Sequence, residues 1–330
     1  MNGAATAPAP APARLDDDSP WPGLDAFDEA SQRYFHGRDA EIEALLRRVE
    51  QAPLTVLFGK SGLGKTSLLK AGLMPRLREH HFLPVYARLD FQSGAPAPMA
   101  QLRDALRATL AAEGVDAPAL AEGESLWAYL HRAGLEFWNR RNFPCTPVFV
   151  IDQFEEVFTL GERQPEVVSR LRIELGDLAE NRIPVELAAF ESMSDESAAR
   201  ALALRAMPYK ILLSLREDYL PELESWRVAI PSLGKVRVRL LPLRPAQALA
   251  AVHQAAPHLM DERLARRIVD FVAAAQGETL AQGTADAALD GAAPALAPGS
   301  GAAEPAVAVR SVEVEPALLS LFCRGLNEQR

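Results

Sequence analysis

Apolar residues recur along this chain in two alternating rhythms. Between Ala40 and Val49, Ile42, Leu45, Leu46 and Val49 fall at i, i+3, i+4 and i+7, the spacing of one helical face. Residues 54–58 (LTVLF) follow as a short continuous apolar run, which predicts a strand buried on both faces. The same alternation continues. Helix is predicted over 65–77, with Pro75 placed to break or kink its end. Strand is predicted over 82–89, helix over 99–112 and 124–142, and strand over 147–152 (PVFVID). Helices over 166–180 and 197–206 lead to a fourth strand at 209–215 (YKILLSL). The fifth, 236–241, alternates Val236, Val238 and Leu240 with Arg237 and Arg239, the pattern of a half-exposed strand at a sheet edge.

Strands alternating with helices predict an α/β fold with a parallel, doubly wound sheet. Beyond the fifth strand the pattern is helical. One helix is expected from Pro245 through His253, another with Leu264, Ile268 and Phe271 on its buried face, and a third opening at 315–317. Leu318, Leu319, Phe322 and Leu326 lie along one face of that last helix. Two low-complexity stretches interrupt the pattern. Residues 1–20 are an Ala/Pro tract ending in Asp16, Asp17 and Asp18, expected to be a disordered tail. Ala, Gly and Pro make up 18 of the 26 residues in 283–308, so a flexible insertion is expected, drawn at 276–312. The resulting division is a tail at 1–20, an α/β core at 21–245 and a helical region at 246–330.

Composition narrows the function classes. The chain has 330 residues, with 35 Lys and Arg against 44 Asp and Glu, a net charge of −9. That balance argues against a nucleic-acid coat, which needs a basic footprint. Two cysteines, Cys145 and Cys323, do not make a disulfide framework or a Cys-rich zinc site. No apolar run approaches the ~18 residues of a membrane span. The N-terminus lacks a basic region followed by an apolar one, so it does not read as a secretory signal. A soluble cytoplasmic protein is the expectation.

The chemistry is concentrated at strand ends. Gly59, Lys60, Ser61, Gly62, Leu63, Gly64, Lys65 and Thr66 match G-x-x-x-x-G-K-[ST] directly between a strand and a helix. Glycines let the backbone turn so that successive N–H groups converge on an anion, and the helix N-terminus adds its positive dipole. Lys65 reaches the β- and γ-phosphates, and the Thr66 hydroxyl can ligate Mg²⁺. A nucleophile elbow is excluded, because Leu63 stands where the second glycine of G-x-S-x-G would be. The 147–152 strand ends in Asp152, a carboxylate placed to hold Mg²⁺. Glu155 or Glu156 can activate water; the plain alternative is a solvated pair in a helix first turn, and Glu155 is favoured. Arg216, after the fourth strand, can read a γ-phosphate or simply pair with Glu217 or Asp218. The strings around Gly37, Arg38 and Pro242 do not by themselves demand nucleotide contact. Trp127, Leu130, Phe137 and Trp138 read as helix packing, and His80 with His81 as a loop without metal.

Together these segments resemble the novel STAND branch of P-loop signal-transduction ATPases, relatives of the NACHT and AP-ATPase groups. The resemblance rests on WPGLDAF (21–27), FHGRDAEI (35–42), the glycine-rich loop, VFVIDQFEEVF (148–158), LLSLREDYL (212–220), LPLRPAQ (241–247) and VEPALLSLFCRGLNEQR (314–330). It implies a five-stranded P-loop NTPase sheet of order 5-1-4-3-2 and ATP/ADP with Mg²⁺ as ligands. It also implies that Gly37, Arg38 and Pro242 line the base and ribose, and that Arg216 is the sensor. The family couples nucleotide exchange and slow hydrolysis to oligomerisation, with separate effector and repeat-sensor domains, often in bacterial defence or signalling. Neither kind of domain is read here, so they are expected either in a longer form of this chain or on partner proteins. Three function classes therefore compete: an ATP-driven switch, a nucleotide-gated scaffold with negligible hydrolysis, and a P-loop kinase or DNA-associated AAA+ motor. The kinase lacks an identifiable acceptor site and lid, and the acidic charge disfavours the motor.

Overall fold

The computed structural model describes residues 15–187, 207–288 and 313–329. The chain divides into two compact units, Arg38–Leu241 in one and Met1–Gly37 with Pro242–Arg330 in the other.

The first unit is built on a parallel five-stranded sheet. Its elements run α1 (Asp39–Gln51), β1 (Leu54–Gly59), then a helix α2 that starts at Lys65–Ser67, widens into a π-helical turn at Leu68–Leu73 and closes as Met74–Glu79. Next come β2 (Phe82–Arg88), α3 (Pro98–Glu113), α4 (Leu126–Leu130), β3 (Thr146–Asp152), α5 (Glu156–Thr159), α6 (Pro165–Ala179), β4 (Lys210–Arg216), α7 (Leu220–Ser225) and β5 (Arg237–Arg239). Strand order is β2-β3-β4-β1-β5, which is the order the resemblance implied. The order follows from burial. β1, β3 and β4 are apolar on both faces and take the interior, whereas β5 carries Arg237 and Arg239 and pairs only with β1. On α1, Ile42, Leu45, Leu46 and Val49 are all buried, as their spacing predicted.

Two expectations for this unit are corrected. Helix does not run through 124–142. Ser125 caps a single short helix, its Oγ accepting from the Ala128 N–H at 3.1 Å, and α4 ends at Leu130. Gly134 then takes a positive φ of 73° and Trp138 bridges to Asp116 and Pro144, so Phe137 is buried from irregular backbone. Pro75 does not end α2. The wider π turn directly before it carries the chain past the missing amide, with the Met74 N–H bonding the Leu69 carbonyl. The helix expected at 197–206 lies outside the described residues.

The second unit joins residues from both ends of the sequence. Its helices are α8 (Pro245–His253), α9 (Glu262–Ala288) and α10 (Pro316–Glu328). Trp21 and Tyr34 share a buried core with Ala248, Val252, Ile268, Leu319 and Cys323. Residues 15–20 are tied in as well: the Tyr34 hydroxyl donates to Asp17 at 2.8 Å, and His258 Nε2 lies 2.8 Å from the Asp17 carbonyl. The buried face of α9 is Ala265, Ile268, Val269 and Val272. Leu264 and Phe271 are instead 42% and 58% exposed, because the inward stripe falls one position later than the apolar spacing suggested. Phe271 rests at the edge of that stripe against the Phe322 ring, 5.1 Å away. Among the described residues, no helix is long and apolar enough to cross a membrane.

Candidate functional site

β1 ends at Gly59, and α2 begins at Lys65. Between them the chain must reverse tightly enough to aim amides at one point. Gly62 and Gly64 do this with φ of 79° and 80°, a left-handed conformation that costs an L-residue about 1–2 kcal/mol. Gly59 is required for another reason: a Cβ there would stand 2.7 Å from the Leu240 carbonyl oxygen. The Lys65 ammonium donates to the carbonyls of Gly59 and Lys60, both at 2.9 Å, which folds it over the loop. Burial lowers its pKa, and Glu155 and Asp152 oppose that shift.

Asp152, 1% exposed at the end of β3, faces this loop. The Thr66 hydroxyl donates to its Oδ2 at 2.7 Å, joining the two sequence motifs directly. A second hydroxyl, that of Tyr86 on β2, donates to the same oxygen at 3.0 Å. The Gln153 amide donates to Oδ1 at 2.9 Å. Gln153 has a positive φ of 52°, and the turn it makes brings the Phe154 N–H to the Ser214 carbonyl at 2.8 Å. That anchor fixes where the two following glutamates point.

They point to different partners. Glu155 accepts the Arg216 backbone N–H at 3.2 Å, and its charge is felt at Lys65. Burial raises the Glu155 pKa; hydrogen bonds from its own and the Arg216 backbone, and then Lys65, work against that rise. Glu156 is gripped by the Arg88 guanidinium, with Nε to Oε2 at 2.8 Å and a second, shorter contact from the terminal nitrogen to Oε1. Arg216 stands opposite Gly59 in the sheet register, so β4 delivers it beside the loop. Its side chain bonds Asp218, at 2.6 and 3.1 Å.

Arg38 joins this constellation by a route the sequence did not disclose. It is 3% exposed, pairs with Glu41 at 3.0 Å and donates to the Leu63 carbonyl in the loop at 3.2 Å. Gly37 and Pro242 belong to the other unit, where Gly37 takes a φ of 83° with no room for a side chain against the Gln247 carbonyl. Sequence reasoning missed Tyr86 and Arg88. The available signal was a pair of hydrogen-bonding residues two apart at the C-terminal end of β2, which places them on one face.

The donor set suits a hard cation held partly by phosphate: one carboxylate, hydroxyl oxygens and no nitrogen or sulfur ligand. Among the described residues no group of three or more His, Cys, Asp or Glu forms a metal site complete in itself. Ser214 adds a further mark of a polar site. It lies one pairing beyond Ile151↔Leu213, abreast of Asp152, and its buried hydroxyl has no partner among the described residues.

Comparison with solved structures finds similarity to Cdc6p of Pyrobaculum aerophilum, at 16% identity and a TM-score of 0.39, covering 71% of this chain and 54% of that one. A Walker-type ATPase of Pyrococcus abyssi matches at 14% and 0.45, covering 71% and 63%. The ADP form of the Aeropyrum pernix ORC2 protein matches at 15% and 0.44, covering 72% and 58%. The chain thus spans between 54% and 63% of the length of these structures. No curated protein matches. The family model described as Novel STAND NTPase 1 matches residues 20–281. That stretch takes in the whole sheet, the loop and every strand end discussed above, and the chain belongs to the novel STAND NTPase family.

Proposed function

We propose that this NTPase is a nucleotide-controlled switch that binds ATP with Mg²⁺ at Gly59–Thr66 and hydrolyses it slowly. The observation that carries the reading is the 2.7 Å bond between the Thr66 hydroxyl and the Asp152 carboxylate, with the Lys65 ammonium folded over the same loop. On this reading the loop amides of residues 60–66 receive the phosphates. Lys65 exchanges its two carbonyl partners for phosphate oxygens. Thr66 and Asp152 would hold the metal, which would supply neutralisation of charge developing on the phosphate oxygens. Glu155 orients and deprotonates the attacking water, while Arg88 keeps Glu156 from that role. Arg216 leaves Asp218 to engage the γ-phosphate and reports its loss through β4. Arg38 steadies the loop through the Leu63 carbonyl.

The nucleotide state would then govern conformation and homo-oligomerisation, with effector and sensor partners, in bacterial signalling or defence within the cytoplasm. Lys65→Ala should abolish nucleotide retention in calorimetry; unchanged affinity would reject the site. Phosphate release recorded beside light-scattering mass, with ATP, ADP or neither, then separates the alternatives. ATP-dependent growth in mass with slow turnover supports the switch. Binding without phosphate release leaves the gated scaffold.

A further inference from the structure

Tyr86 touches the acidic centre and has been given no task. We propose that Tyr86 is a positioning residue for the metal-bearing carboxylate, fixing the orientation of Asp152 from the neighbouring strand. The inference rests on the phosphate-site reading above and adds a residue to it.

Among the described residues, Asp152 has three donors. Gln153 is the next residue in the chain, and its amide follows wherever the backbone turns. Thr66 belongs to the phosphate loop, and its hydroxyl would be shared with a metal bound there. Tyr86 is the donor that stays put. Parallel pairing sets Tyr86 opposite Val150 and Arg88 opposite Asp152, so the phenol approaches the carboxylate diagonally on one face of the sheet. Its ring is held in turn, with the Lys70 ammonium 4.4 Å from the ring centroid. Lys70 sits in the π-helical turn of α2, so Tyr86 links β2, β3 and the helix that carries Thr66. A phenol has a single proton, and here it is committed to Oδ2 at 3.0 Å. That bond fixes the orientation in which the carboxylate would meet a metal. Outer-shell donors of this kind commonly govern metal affinity over about 10–100-fold.

The test is Tyr86→Phe in the full chain, which deletes the hydroxyl and keeps the ring volume. ADP binding is followed by calorimetry in EDTA and across a Mg²⁺ series, with Mn²⁺ paramagnetic resonance as a direct readout of metal capture. In EDTA the variant should bind ADP as the wild type does, because the Tyr86 hydroxyl donates to Asp152, while Lys65 is held by the Gly59 and Lys60 carbonyls. Half-saturation by Mg²⁺, and Mn²⁺ capture in the presence of ADP, should require on the order of tenfold more metal. A side chain that only packs would shift thermal stability and leave the metal series unmoved. An unchanged metal requirement, with ADP binding lost in Lys65→Ala, overturns the role of Tyr86 alone. ADP binding that survives Lys65→Ala overturns the phosphate-site reading, and this inference falls with it.

Discussion

Two adjacent glutamates with the same chemistry are told apart by their partners. Glu156 is half of an ion pair with Arg88, whose side chain is 54% exposed, so that pair is worth only about 0–1 kcal/mol. Glu155 is bonded to a backbone amide and sits in the field of Lys65. Glu155→Gln should therefore lower phosphate release by about 10²–10⁴-fold with ATP affinity kept. Glu156→Gln should leave turnover within a few-fold. The reverse ranking in a phosphate-release assay would assign the base wrongly. The pH profile carries the sign of the same idea. A base works ionised, and burial raises the Glu155 pKa above its ordinary 4.5. Activity should thus be lost on acidification at a pH above the ordinary carboxylate value, and Glu155→Gln should erase that limb. Residues that end an apolar strand, such as Asp152, were legible because a charge has no other reason to stand there. Tyr86 was not, since an aromatic inside a strand run reads as ordinary β-sheet packing. Arg38 was named through the resemblance alone, because its buried bond to the Leu63 carbonyl spans 25 positions that no local pattern relates.

At the scale of elements, the loop is shaped by what surrounds it as much as by its own glycines. β5 pairs with β1 through a bond from the Leu240 N–H to the Phe58 carbonyl at 2.7 Å. The carbonyl of the same Leu240 closes over Gly59. A methyl group at 59 cannot be accommodated unless that pairing shifts. Gly59→Ala is expected to cost about 1–3 kcal/mol in denaturant unfolding, the range of overpacking in a closed site. Full stability would mean that β5 yields easily. The short strand was foreseen from its alternating arginines, whose pairing to Glu224 and Glu217 keeps the edge charged and blocks strand addition. The helix expected over 124–142 failed for a definable reason. Trp127, Leu130 and Phe137 all demand burial, and helical spacing is one way to meet it; Gly134 in a left-handed turn is another, and spacing alone does not choose.

At the scale of the whole molecule, the chain's two ends are committed to one body and its middle to another. Strand-and-helix alternation located the middle, but nothing periodic relates Trp21 to Cys323, so the shared core of the ends appears only in three dimensions. Trp21 is 4% exposed, and its indole N–H is buried without a partner among the described residues. What holds it is apolar contact, and Trp21→Ala should cost about 3–5 kcal/mol in the unit it belongs to. Trp21→Phe, which keeps a ring and removes the unpaired donor, should cost less. Because each unit has its own core, the damage should be local in hydrogen exchange. Amides of Pro245–His253, the 262–275 stretch and Pro316–Glu328 should lose protection, while β1, β3 and β4 keep theirs. Protection lost equally across those strands would mean that the two cores melt as one cooperative body, and that the N-terminal segment supports the sheet it precedes in sequence.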